Sequence, residues 1–123
     1  MNGGSISTTG ENAGAALVYG GNSSLALNGV AIRTEGNTAR GVVASGVSDG
    51  VASTVSVNGS SVTTTGTGSI GVQAIAGGRA DLVDTTIATS GNGAHGIHAN
   101  DNGSIVNATR VDVSTSGFSA HGV

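Results

Sequence analysis

Three histidines are the residues whose types and spacing come nearest to a chemical site. His95 and His98 form a His-x-x-His pair, and His121 stands at the repeat position of His95. Two or three imidazoles with a carboxylate nearby, here Asp101, are a ligand set that suits Zn²⁺ or Ni²⁺. Such a site needs the rings to converge, and His98 lies beyond a small Gly96-Ile97 step from His95. The ordinary reading is three solvated histidines, and no metal is assigned. Asp81 and Asp84 have the look of paired carboxylates for glycoside hydrolysis. The repeat register, however, puts Arg110 above Asp84, and Arg79 is two residues from Asp81. Both acids therefore read as halves of ion pairs, while Glu11, Arg33 and Glu35 read as scattered surface charges. No catalytic residue and no cofactor is expected.

The elements that would position these groups follow from a repeat. Ile/Val-x-Thr-x-Gly occurs five times, beginning at Ile6, Ile32, Val62, Ile87 and Val113, with intervals of 26, 30, 25 and 26 residues. Agreement continues past each glycine. A small residue comes three later (Ala13, Ala39, Ser69, Ala94, Ala120), then Ala15 or a glycine, then an apolar residue. Before each motif runs a second alternating stretch, such as Leu25, Leu27 and Val30, or Ala80, Leu82 and Thr85. Each unit thus holds about three short segments with side chains alternating at period two, which is a strand pattern. Apolar residues never recur at helical spacing, and frequent Gly and Ser oppose helix.

Composition narrows the class. The 123 residues include 23 Gly and no Cys, Pro or Trp, and Tyr19 and Phe118 are the only aromatic residues apart from histidine. A conventional globular core lacks its large side chains here, yet 37% apolar content and 9% charge argue against disorder. Without cysteine there is neither a disulfide framework nor thiolate chemistry. Four Arg against seven acids, a net charge of −3, give no electrostatic footprint for nucleic acid. No apolar stretch approaches the ~20 residues of a membrane-spanning helix.

Three strands of three to five residues per ~25-residue unit predict an all-β fold: a right-handed parallel β-helix of about four to five coils, ~4.8 Å apart. An antiparallel sandwich or propeller would not place Thr8, Thr34, Thr64, Thr89 and Thr115 in one file. These threonines share parity with the Ile or Val two residues earlier, so they are expected to face inward as a structural ladder. Each hydroxyl is then expected to find a backbone or neighbouring Thr partner. Residues 1–123 read as one repeat segment with a small loop insertion around 45–54, where Ser45 to Thr54 exceed the equivalent gaps by about four residues. Val123 completes an inward position in this register. Neither terminal coil carries an aromatic or charged cap, which predicts end-to-end self-association of the segment.

The run from Val62 to Ala74 and the run from Ile87 to Ala99, with Asn-Gly-Ser and Asn-Ala-Thr after it, resemble the degenerate coils of autotransporter passenger domains of Gram-negative bacteria. The resemblance covers Ile6 to Val123. It implies a right-handed β-helical stalk segment, adhesin-like, held at the bacterial surface or secreted through a C-terminal outer-membrane barrel that lies outside this sequence. It implies a non-enzymatic structural or adhesive role in adhesion or cell–cell aggregation, with contacts to glycan, matrix or the same protein on neighbouring cells. The alternative is a fragment of a β-helical carbohydrate-active lyase or hydrolase. That reading asks for a groove lined by acids, basic residues and aromatics.

Overall fold

The chain is described from a computed structural model covering residues 1–47 and 51–123. Every regular element in it is a strand. The first coil holds β1 (Ser5–Thr8), β2 (Gly14–Tyr19) and β3 (Ser24–Asn28). The second holds β4 (Ala31–Thr34), β5 (Arg40–Ser45) and β6 (Thr54–Asn58). The third holds β7 (Ser61–Thr64), β8 (Ile70–Ile75) and β9 (Arg79–Val83). The fourth holds β10 (Thr86–Thr89), β11 (His95–Ala99) and β12 (Ile105–Thr109), and β13 (Asp112–Thr115) begins another.

Each strand pairs in parallel with its equivalent one coil away, so the chain is a β-solenoid with three faces. The sheets run β1-β4-β7-β10-β13, β2-β5-β8-β11 and β3-β6-β9-β12. Parallel pairing in register stacks like on like. Ile6, Ile32, Val62, Ile87 and Val113 form one column, and Thr8, Thr34, Thr64, Thr89 and Thr115 another. The interior is narrow and aliphatic, filled by Leu27, Ile32, Leu82, Ile87 and the valines between them. The low aromatic content of the sequence suits this interior: three sheets closing on one narrow core leave no space for a large ring.

The threonine ladder faces inward as expected, with Thr34 and Thr64 fully buried and Thr89 nearly so. Its hydroxyls do not behave as expected. Those of Thr8, Thr34, Thr64 and Thr89 are buried with no hydrogen-bond partner among the described residues. Identical side chains in register repeat at the coil rise of ~4.8 Å, beyond hydrogen-bond reach of one another. Another buried hydroxyl column is satisfied. The Ser60 hydroxyl donates to the Asn58 carbonyl and accepts from the Val30 N–H, and the Thr85 hydroxyl lies within reach of the Val57 and Val83 carbonyls. Those two residues stand at a corner, where the turning backbone exposes carbonyls to a side chain; the ladder threonines stand in straight strand.

The insertion expected around 45–54 is described in part, because residues 48–50 lie outside the described residues. On either side of them Val47 and Val51 form an antiparallel bridge, and the chain rejoins the coil at β6. Ser53 there is fully buried and its hydroxyl bonds the Gly20 carbonyl of the coil below. Val123, assigned inward by the repeat, is 90% exposed.

Candidate functional site

The second sheet is the face where polar groups gather, and a bulge in its strands explains why. At Gly41, Gly71 and Gly96 the backbone turns inward immediately before an inward-facing Val42, Val72 or Ile97. A Cβ on Gly71 would lie 2.6 Å from both the Gly96 carbonyl oxygen and the Ile87 side chain, so only glycine fits. Two consecutive inward residues bring their outer neighbours, three apart in sequence, side by side. Leu17 accordingly lies over Gly14, and the same offset pairs Arg40 with Val43, Ile70 with Gln73, and His95 with His98.

The outer surface therefore carries two adjoining columns along the solenoid axis. One contains Gly14, Arg40, Ile70, His95 and His121; the other contains Leu17, Val43, Gln73 and His98. Val43 is fully buried in this outer row and Gln73 is 6% exposed, so the columns close over one another in the middle coils. At one end Leu17 and Tyr19 are exposed. At the other end the three histidines meet. The His95 ring stacks on His98 and on His121, with centroids 5.3 Å apart in both pairs and interplanar angles of 23° and 13°.

The structure thus brings His95, His98 and His121 together, which spacing left open for His98. Their stacking does not make a metal centre: near-parallel rings present their nitrogens side by side and do not converge on one point. Among the described residues no group of three or more His, Asp or Glu is placed to hold a metal ion. Asp101 is engaged elsewhere, its carboxylate accepting from the Ala76 N–H at 3.2 Å and the Asn100 side chain at 3.3 Å. It lines a corner groove of about 570 Å³ with Ala76, Asn102 and Gly103. The groove also borders Val47 and Ala52, beside the residues outside the description.

The two aspartates singled out above are ion-paired. Asp81 takes two hydrogen bonds from Arg79, the shorter 2.8 Å, and a third from Asn107 one coil above at 2.7 Å. Asp84 accepts a forked pair from Arg110 of the next coil. Arg33 and Glu35, read as scattered charges, form a third pair at 2.7 Å; two-residue spacing puts them on one side of the chain, as it does Arg79 and Asp81. All three pairs are largely exposed, so each contributes little to stability.

Sequence reasoning missed Arg40 and Gln73. Arg40 precedes Gly41 as His95 precedes Gly96, a signal present in the repeat. Gln73 was legible only as one residue before an inward alanine. Among the described residues Arg40 is the arginine without a carboxylate partner. Its Nε, the Gln73 Oε1 and the His98 Nδ1 are all buried and without a partner among the described residues.

Burial, together with the neighbouring His98 and His121, lowers the His95 pKa below the ordinary imidazole value. The unfolded chain therefore takes up this proton first. Stability is complete above about pH 6.5 and declines as the pH falls through that value, until the folded ring is protonated as well. The Arg79 hydrogen bond holds Asp81 low, and the Arg110 hydrogen bond does the same for Asp84; their contribution is present above the usual carboxylate range and lost below it. A melting-temperature profile should fall in two stages, the upper one flattened by His95→Gln and unaffected by Asp84→Asn. An upper stage unchanged in His95→Gln would refute the histidine assignment.

No protein-family model, curated protein or solved structure matches the chain.

Proposed function

We propose that this chain is a structural and adhesive β-solenoid, a rigid segment of a surface-displayed stalk of the autotransporter passenger type. The observation that supports this is the unbroken register of all three sheets, in which each coil templates the next. Such a stack extends by repetition and presents long, flat rows of side chains while its interior stays the same. A rod of that kind holds a contact surface away from its anchor, and its rows meet extended partners such as glycan, matrix or a like solenoid on a neighbouring cell.

The test is display. Beads coated with the folded chain should clump with one another or adhere to matrix-coated surfaces more than beads carrying heat-unfolded chain. Equal behaviour of both bead types would overturn the reading. End-to-end addition belongs to the same proposal. β1 and β13 are the end strands of their sheet, each paired with a neighbouring strand on one side. Light scattering over a concentration series should then show mass rising above one chain, and a constant single-chain mass would refute it.

A further inference from the structure

We propose that the outer face of the second sheet is a binding strip for a linear anionic sugar polymer, lying along the solenoid axis from Arg40 past Gln73 to the histidine stack. The inference rests on the adhesive reading above and names the partner's chemistry.

Four observations converge on it. The strands of this sheet contain no acidic residue, while they carry Arg40, His95 and His98, with His121 in line. In a chain of net charge −3 this face alone is free of negative side chains along its strands. Second, Arg40 has no carboxylate partner among the described residues, unlike Arg33, Arg79 and Arg110. Third, three polar atoms here are buried and unsatisfied among the described residues: a donor on Arg40, an acceptor on Gln73 and a ring nitrogen on His98. Gln73 is more than nine-tenths buried, so its carbonyl oxygen is costly to leave unpaired. A small rotation of these side chains would present them to a ligand offering both hydroxyl donors and anionic acceptors. Sugars bearing carboxylate or sulfate do both. Fourth, the outer imidazole faces of the histidine stack are flat surfaces against which sugar rings can pack.

The columns are periodic along the axis, which favours a polymer over a single small anion. The titratable groups on the face are Tyr19 on β2, Arg40 on β5, His95 and His98 on β11, and His121; β8 carries none. Asp101, just past β11, is the nearest acid in chain order at that end and is already bonded to Ala76. Charging of His95 on acidification should strengthen binding, with Arg40 supplying the charge that remains at neutral pH.

The experiment titrates the whole chain with heparin (sulfate), hyaluronate (carboxylate) and neutral dextran, at about pH 5.5 and about pH 7.5. Binding of heparin, hyaluronate or both, tighter at the lower pH and absent for dextran, is expected; which of the two binds tells sulfate from carboxylate. Arg40→Gln should weaken binding about tenfold. Arg33→Gln removes the same charge from another face and should leave it unchanged, which controls for net charge. Gln73→Leu, which removes the unpaired acceptor, should weaken binding without unfolding the chain. No binding of either polyanion, equal loss in Arg40→Gln and Arg33→Gln, or equal uptake of dextran would overturn the proposal. If a nucleic acid of equal charge binds as well as the sugar polymers, the strip is a general anion surface and the sugar assignment fails. Bead adhesion persisting without polyanion binding would leave the adhesive reading intact and sink this inference alone.

Discussion

Gly66→Ala is expected to cost about 3 kcal/mol, a large fraction of the stability of a typical domain. A Cβ on Gly66 would land on the carbonyl of Gly36 in the coil below and lie 2.8 Å from the Asn37 nitrogen. Gly36 meets Gly10 in the same way, Gly91 meets Gly66, and Gly117 meets Gly91. These neighbours are backbone atoms, which cannot rotate aside as a side chain tip can. Relief would require lifting one coil off another at that corner, and the ladders of all three sheets share the displacement. The requirement is closeness, since Gly66 does not adopt a left-handed backbone. Gly59 supplies the contrast. Its φ is +55°, a Cβ there meets nothing within 4 Å, and the next coils hold Asp84 and Arg110 at that corner with φ of 48° and 51°. Gly59→Asn should therefore cost less than about 1 kcal/mol. Urea unfolding of the two variants, followed by circular dichroism, decides the matter. Equal small losses would show that the corner is not closely packed.

Replacing Thr34, Thr64 and Thr89 together by valine is expected to stabilise the solenoid by about 3 kcal/mol, roughly 1 per site. Valine has nearly the same shape and an equal preference for strands. Each swap removes a buried hydroxyl that has no partner and puts a methyl group among the aliphatic residues around it. The three sites are stacked neighbours, so the sum can depart from strict additivity by several tenths of a kcal/mol. A raised unfolding midpoint with an unchanged denaturant slope would support the reading. A lowered midpoint would mean that the hydroxyls are bonded, and that the ladder is a polar device after all. If the midpoint rises, threonine at these sites is explained by something other than the stability of the folded coil.

Much of this architecture was legible in the chain. The five Ile/Val-x-Thr-x-Gly motifs determine which residues stack, because parallel in-register pairing adds no offset between one coil and the next. Asp84 and Arg110 could be paired on paper for that reason, and His95 and His121 likewise. Arg33 and Glu35 could have been, by the same two-residue logic that joined Arg79 to Asp81. Period-two alternation also gave the inward side of each strand, including the threonines.

What register could not supply is how neighbouring columns meet. Alternation alone would put His98 and His95 on opposite sides of β11, three residues apart. The inward turn at Gly96, followed by inward Ile97, cancels one step of alternation and lays the two rings against each other. The same turn buries Val43 and Gln73 on an outer face, where a flat strand would have left them exposed. Whether a buried hydroxyl is bonded is also a tertiary property. Ser60 and Thr85 stand at a corner and find partners, whereas Thr34 and Thr64 stand in straight strand and do not. The sequence by itself determined the coil, its period and its columns, since these depend on residue identity at fixed spacing. The tertiary structure decided the outer strip of Arg40, Gln73 and the stacked histidines, because it depends on how the backbone bends between columns.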